Sequence, residues 1–136
     1  SFQYSYAWGS QADYEPDLAQ RLDRLASEAG QSIEAYSYDL LLADDGHAIF
    51  YQPGANYRDG NLDAVRTMLG HPQAVVGPAD GGAHYGMICD ASFPTYMLTH
   101  WVRDRKRGPT LPLEKVVSMQ TRDTAEAVGL PSASPV

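Results

Sequence analysis

Apolar and polar residues alternate along the first eight positions of the chain, which is the two-residue period of a β-strand. Phe2, Tyr4, Tyr6 and Trp8 would share one face of this strand. Because four aromatic rings on one face expose a large apolar surface to water, we expect other residues to cover them.

After this strand the apolar period lengthens to three or four residues, which predicts helices that each bury one face. Ser32, Asn61 and Thr121 stand where N-caps are expected, and Gly30 stands where a C-terminal stop is expected. A short sixth helix would run from Thr121 to Gly129. The five predicted apolar stripes are Leu18, Leu22, Leu25, Ala26 and Ala29; Ile33, Tyr36, Leu40 and Leu41; Leu62, Val65, Met68 and Leu69; Met97, Leu98, Trp101 and Val102; and Leu113, Val116 and Val117.

Two further short strands are predicted, at residues 47–51 and 74–76. The helix, short turn and apolar strand around residues 62–76 are typical of a repeating βα fold with a buried parallel sheet. We therefore predict an α/β fold that is predominantly helical, with two or three short strands. One domain would cover residues 1–130, and residues 131–136 would form a disordered, proline-bearing tail.

The composition is that of a globular protein, with 43% hydrophobic and 20% charged residues. The formal net charge of -7 and the lack of a basic face argue against nucleic acid as a partner. Cys89 is the only cysteine, so no intrachain disulfide can form, and we expect a cytoplasmic location. The longest aliphatic run, residues 40–43, is too short to span a membrane, so no membrane partner is expected.

Residues 80–84, Asp-Gly-Gly-Ala-His, place an acid directly after a predicted strand. In a parallel α/β fold, loops at the C-terminal ends of strands line the active-site mouth. Asp80 could instead form an Asx-turn with the following backbone, with Gly81 and Gly82 at positive φ, and the spacing alone favours this turn. Asp80 and His84 could share a metal on a helix, but the two adjacent glycines disfavour a helix there.

A longer set of residues resembles the N-acyl-D-amino-acid deacylase branch of the amidohydrolase superfamily. The resemblance extends from Asp13 to Leu130, and the combination is more specific than any one of its parts. The matching segments are residues 13–16, 38–42, 57–65, 76–84, 89–90, 94–95, 101–105, 113–114, 121–125 and 129–130.

The resemblance implies that the chain is the last βα units of a (β/α)8 amidohydrolase barrel that uses zinc to hydrolyse a small-molecule amide at a non-peptide C–N bond. Asp80 would be the catalytic acid/base after the last barrel strand. It could also be a metal ligand, but only with ligands missing from this chain. His84, Gly81 and Gly82 would bind substrate, although a loop histidine that hydrogen-bonds to backbone groups is an equal alternative for His84.

The chain departs from the family pattern in three ways. None of its four histidines forms the expected His-x-His pair, so the metal ligands would have to lie upstream. No arginine or lysine stands between Gly81 and Phe93 to clamp a substrate carboxylate. The chain also ends without the small β-domain expected after Leu130. We therefore expect no zinc in this chain and no activity from it in isolation.

These departures leave room for an alternative from another functional class. The chain would then be a non-catalytic, mostly helical remnant. Cut from a barrel, it would expose sheet edges and apolar or aromatic surface, which self-association as a homodimer would cover.

Overall fold

The computed structural model of the chain describes residues 2–9, 12–77 and 90–130. The contacts among residues divide the chain into two compact units, Ser1–Ala64 and Val65–Val136. The sequence-based division into a domain over residues 1–130 and a tail over 131–136 stays a prediction. Helices dominate both units, as the sequence predicts.

The sheet of the first unit has two strands, β1 (Tyr6–Trp8) and β2 (Ile49–Tyr51), which pair antiparallel. Tyr6 lies opposite Tyr51, and Trp8 lies opposite Ile49. The predicted strand at the start of the chain is shortened because the Ser5 N–H donates to the Phe2 carbonyl and forms a turn. Both strands fall inside predicted segments, which confirms the prediction of two or three short strands.

The first predicted helix is broken in two at Arg21. A 3₁₀ turn, Leu18–Gln20, precedes α1 (Leu22–Glu28), and between them Arg21 has an extended backbone that forms a β-bridge with Tyr6. Leu22 and Ala26 are buried as predicted, whereas Leu18 and Ala29 of the same stripe are exposed. Helix α1 stops at Gly30, whose φ of +66° is the left-handed conformation that glycine adopts at little cost.

Helix α2 (Ile33–Leu42) begins as predicted, because the Ser32 hydroxyl oxygen accepts a hydrogen bond from the Ala35 N–H at 3.2 Å. Its buried face differs from the predicted stripe. Ser37 is fully buried, while Leu41 and Leu42 are exposed. A 3₁₀ turn, Asp44–Gly46, follows the helix.

Helix α3 (Asp63–Leu69) starts at the predicted cap, where the Asn61 side-chain oxygen accepts from the Asp63 N–H at 2.9 Å. The boundary between the two units falls within this helix. Met68 is 48% exposed, so the predicted stripe of α3 is only partly buried.

In the second unit a 3₁₀ turn, Asp90–Ser92, leads into α4 (Phe93–Leu98), which continues as a π-helical segment, Thr99–Asp104. Helices α5 (Leu113–Gln120) and α6 (Arg122–Ala127) follow. The core of this unit consists of side chains from α4, the π-helical segment and α5. Its most deeply buried members are Met97, Trp101, Val116 and Met119, each no more than 1% exposed.

Two predictions about the second unit are wrong, the strand at residues 74–76 and the cap at Thr121. Residues 74–76 form no strand. The pair of strands in the described residues lies in the first unit and is antiparallel. An extended segment becomes a strand only if a neighbour offers a free edge, and no described segment pairs with residues 74–76. Thr121 does not cap α6, because its hydroxyl donates to the Val117 carbonyl at 2.7 Å.

Candidate functional site

The residues predicted to form the hydrolytic site lie outside the described part of the chain. These residues are Asp80, Gly81, Gly82 and His84. Their assignment as acid/base, substrate-binding residues and possible metal ligand stays a prediction.

The described residues on either side of this loop both contact the corner between α5 and α6. Val76 is 8% exposed, and its carbonyl accepts from the Thr124 hydroxyl at 3.5 Å. On the other side, the Pro94 carbonyl accepts from the Gln120 side-chain amide at 3.4 Å. Both hydrogen bonds are long and therefore weak, so the burial of Val76 contributes more to holding this segment in place than the two hydrogen bonds do. Val76 and Pro94, which precede and follow Asp80 in the chain, are therefore both held by the same helical corner.

The carboxylate of Asp123, in the first turn of α6, is already neutralised by donors. It accepts from the Ser118 hydroxyl at 2.6 Å, and it forms ion pairs with Arg122 at 3.4 Å and Lys115 at 3.6 Å. The Ser118 hydrogen bond, followed by these two cations, holds the pKa of Asp123 below its usual range. A carboxylate that binds two cationic side chains is a structural group and not a free metal ligand.

No three histidine, cysteine, aspartate or glutamate side chains come together to hold a metal ion in residues 2–9, 12–77 and 90–130. Zinc sites need three or four such ligands at about 2 Å from the metal. The described residues therefore do not form a zinc site by themselves.

Sequence reasoning missed a buried polar cluster in the π-helical segment. His100 is 4% exposed. Its ring stacks on the Tyr96 ring with the ring centres 5.2 Å apart, and it meets the Trp101 ring edge to face with the ring centres 5.0 Å apart. The Arg105 guanidinium lies 5.2 Å from the Trp101 ring centre and donates to the Pro109 carbonyl at 3.3 Å. The predicted stripe contained only apolar residues, so the periodicity gave no signal for these buried polar groups.

The predicted covering of the aromatic face at the start of the chain is only partial, because Tyr6 is buried while Phe2 and Tyr4 are 40% and 57% exposed. Trp8, Tyr14 and Tyr51 contact one another with ring centres 4.9 to 5.9 Å apart. The Tyr51 hydroxyl donates to the Tyr14 carbonyl at 3.3 Å, and burial raises the pKa of Tyr51 to about 12. This cluster is a packed element of the first unit.

The first unit also contains an open cleft of about 690 Å³ that the sequence did not predict. One wall is the loop at residues 52–60, and the facing residues come from the chain start and the 3₁₀ turn before α1. The lining residues are Tyr4, Tyr6, Leu18, Arg21, Gln52, Pro53, Gly54, Ala55, Asn56, Tyr57, Arg58, Asp59 and Gly60.

The cleft loop is held at its C-terminal end by two close contacts. Gly60 has a φ of +69°, and a Cβ added there would lie 2.5 Å from the Leu18 side chain. The carboxylate of Glu15, which is 8% exposed, accepts from the Leu62 N–H at 2.8 Å. These contacts give the cleft a defined wall.

None of the described helices combines the length and the apolar character that crossing a bilayer requires.

Comparison with known proteins identifies the family. The model of the amidohydrolase family matches residues 10–133, which is most of the chain. A search of curated proteins found no match, and a search of solved structures found none either. A match to this family indicates hydrolase activity. It also agrees with the superfamily that the sequence resembles. The chain belongs to the amidohydrolase family.

Proposed function

We propose that the chain is part of a zinc-dependent amidohydrolase that hydrolyses a non-peptide C–N bond of a small amide, in the manner of an N-acyl-D-amino-acid deacylase. The family match over residues 10–133 carries this proposal. The resemblance of residues 76–84 to the deacylase branch supports the finer assignment.

In this proposal Asp80 transfers the proton that amide hydrolysis requires. Its carboxylate takes a proton from the attacking water as the oxygen bonds to the carbonyl carbon. It then gives that proton to the nitrogen as the C–N bond breaks, so the products are a carboxylic acid and an amine. The described residues do not fit a zinc ion, so its ligands would come from protein outside them.

The loop after Asp80 also bears on which amide is bound. A deacylase that acts on N-acyl-D-amino acids grips the substrate carboxylate, and arginine does this through two parallel hydrogen bonds. No arginine or lysine stands between Gly81 and Phe93. We therefore propose a substrate whose recognition does not depend on a cation in this loop.

The proposal is tested by assaying the chain and the full-length product of its gene side by side. We expect the chain alone to contain less than stoichiometric zinc and to hydrolyse neither N-acetyl-D-methionine nor its uncharged methyl amide. The full-length product should contain zinc and hydrolyse the amide bond of at least one of them. Metal analysis and amine release measure both.

Two outcomes would contradict the proposal. Zinc-dependent hydrolysis by the chain alone would show that its own residues complete the metal site. A full-length product that binds no zinc and releases no amine from either compound would remove the hydrolase assignment.

We propose as a second candidate function that the chain is a non-catalytic remnant that self-associates. The observation that favours it is an apolar surface on the first unit. Tyr38 and Leu42, four residues apart on α2, are 63% and 59% exposed. Because they share one face of that helix, they form an exposed apolar surface that association can cover.

Replacing Leu42 with glutamate tests this candidate. If α2 forms the interface, Leu42→Glu should weaken dimerisation at least about tenfold, because a buried charge there has no partner. Sedimentation velocity over a range of concentrations measures the change. Val128→Glu is the matched control, since Val128 is 71% exposed at the end of α6 and should leave the dimer unchanged. A wild-type chain that stays monomeric at all concentrations would rule this candidate out.

A further inference from the structure

The cleft in the first unit collects basic residues from a part of the chain that has few. Residues 1–64 contain three basic side chains, Arg21, Arg24 and Arg58, against eleven acidic ones. Arg21 and Arg58 line the cleft, and among its described lining residues Asp59 is the only acid. The lining therefore contains two of the three basic side chains of this unit.

The two arginines of the cleft differ in how far their charge is compensated. Arg21 forms two hydrogen bonds with the Asp23 carboxylate, at 2.6 and 2.7 Å, and its guanidinium lies 5.2 Å from the Tyr4 ring centre. Arg58 is exposed and forms no hydrogen bond or ion pair with any residue in the described part of the chain. Arg58 thus offers one guanidinium that an anion can bind through two parallel hydrogen bonds.

Aromatic residues form the apolar part of the cleft wall. Tyr4, Tyr6 and Tyr57 line it, and Tyr4 is 57% exposed. Burial raises the pKa of Tyr57, so its hydroxyl stays protonated at neutral pH. That hydroxyl is buried and has no hydrogen-bond partner among the described residues. The cleft therefore combines aromatic surface with the exposed guanidinium of Arg58.

The volume of about 690 Å³ suits a small organic molecule, since ligand pockets range from about 300 to 1,000 Å³. We propose that this cleft binds a small monocarboxylate that carries an aromatic ring, with the carboxylate on Arg58 and the ring against the tyrosines. One uncompensated guanidinium matches one negative charge, and Asp59 disfavours a second. A ring-free anion would leave the aromatic wall unused.

The inference does not rest on the proposed hydrolase function, because it concerns binding without turnover at residues of the first unit. Its test can therefore fail or succeed whatever the hydrolysis assay shows. The probe is benzoate, and its uncharged and cationic counterparts of the same shape are benzamide and benzamidine. Inorganic phosphate tests whether any anion is sufficient.

The experiment follows backbone and arginine side-chain N–H signals of the whole chain by NMR during titration with each probe. Benzoate should shift the signals of Gly54, Gly60 and Arg58 in a saturable manner. Benzamide should bind about 10- to 100-fold more weakly, because a neutral amide forgoes the charge-assisted hydrogen bonds to Arg58. Benzamidine and phosphate should give no saturable shift at these positions.

Arg58→Gln should weaken benzoate binding by the same factor, while Arg24→Gln, at the arginine outside the cleft, should leave it unchanged within about twofold. Because Arg58 is exposed, its replacement is expected to fold, and the probe series on the wild-type chain tests charge selectivity even if it does not. The inference is overturned if benzoate and benzamide bind equally, if phosphate competes with benzoate at these signals, or if Arg58→Gln binds benzoate as the wild type does.

Discussion

Asp80→Asn is expected to lower kcat for amide hydrolysis by the full-length product about 10²- to 10⁴-fold, the range that a positioned acid/base group contributes. Asparagine keeps the size of the side chain but cannot accept a proton from water or deliver one to the leaving nitrogen. The loss should fall on kcat more than on KM, because proton transfer occurs in the transition state and substrate binding does not require it. Steady-state rates of amine release measure both constants.

The control for this substitution is Asp17→Asn. The Asp17 carboxylate accepts from the Ala19 N–H at 2.8 Å, and asparagine caps a helical turn equally well, so activity should stay within about twofold of the wild type. The pH profile separates a chemical role from a structural one, since the limb set by ionisation of Asp80 should disappear in Asp80→Asn. Unchanged kcat in Asp80→Asn would show that another group transfers the proton.

The helix ends were the most predictable part of this fold because short-range chemistry fixes them. Ser32 and Asn61 accept backbone N–H groups at the starts of α2 and α3, as their side chains predict. Gly30 and Gly129 have φ values of +66° and +76° where helices stop. Each of these interactions joins residues no more than four apart, so the local sequence contains all the partners.

Strand pairing was predicted less well because it depends on distant residues. The segments at β1 and β2 were identified, but the period of each strand says nothing about the direction of its partner. The pairing of Tyr6 with Tyr51 joins positions 45 apart in the chain. Residues 74–76 have the composition of a strand, yet Val75 is 49% exposed and no described neighbour completes a ladder.

The buried faces of the first predicted helix and of the π-helical segment differ from the predicted stripes for separate physical reasons. Arg21 leaves the helical conformation to bridge Tyr6, so Leu18 no longer shares a face with Leu22. In the π-helical segment the Arg105 N–H donates to the His100 carbonyl, five residues back, and the wider turn buries both side chains. A period of 3.6 residues cannot predict either change.

The two candidate sites also differ in how far the local sequence predicts them. A hydrolytic site at Asp80 stays a prediction, which the sequence allows because Asp80 and the residues around it form a contiguous segment that resembles a known family. The cleft was not predicted because its walls come from separate parts of the chain, with Tyr4 and Arg21 facing a loop at residues 52–60. That loop is rich in turn residues and has no apolar period, so the sequence there indicated only a connection.

Trp101→Ala is expected to lower the free energy of unfolding by about 3 to 5 kcal/mol. Trp101 is 1% exposed, and its removal leaves a cavity among the buried side chains of the second unit. It also deprives the Arg105 guanidinium and the His100 ring of the indole that they contact. Because domains are typically stable by only about 5 to 15 kcal/mol, this one substitution removes a large share of the total.

Urea denaturation followed by circular dichroism measures the change, which should appear as a lower midpoint with little change in slope. Val128→Ala is the control, since Val128 is 71% exposed and its truncation should cost no more than about 0.5 kcal/mol. Trp101→Phe should recover part of the loss, because a smaller ring still fills some of the space and faces Arg105. A Trp101→Ala midpoint equal to that of the wild type would show that the second unit does not pack around the indole, and the account of its core would then be wrong.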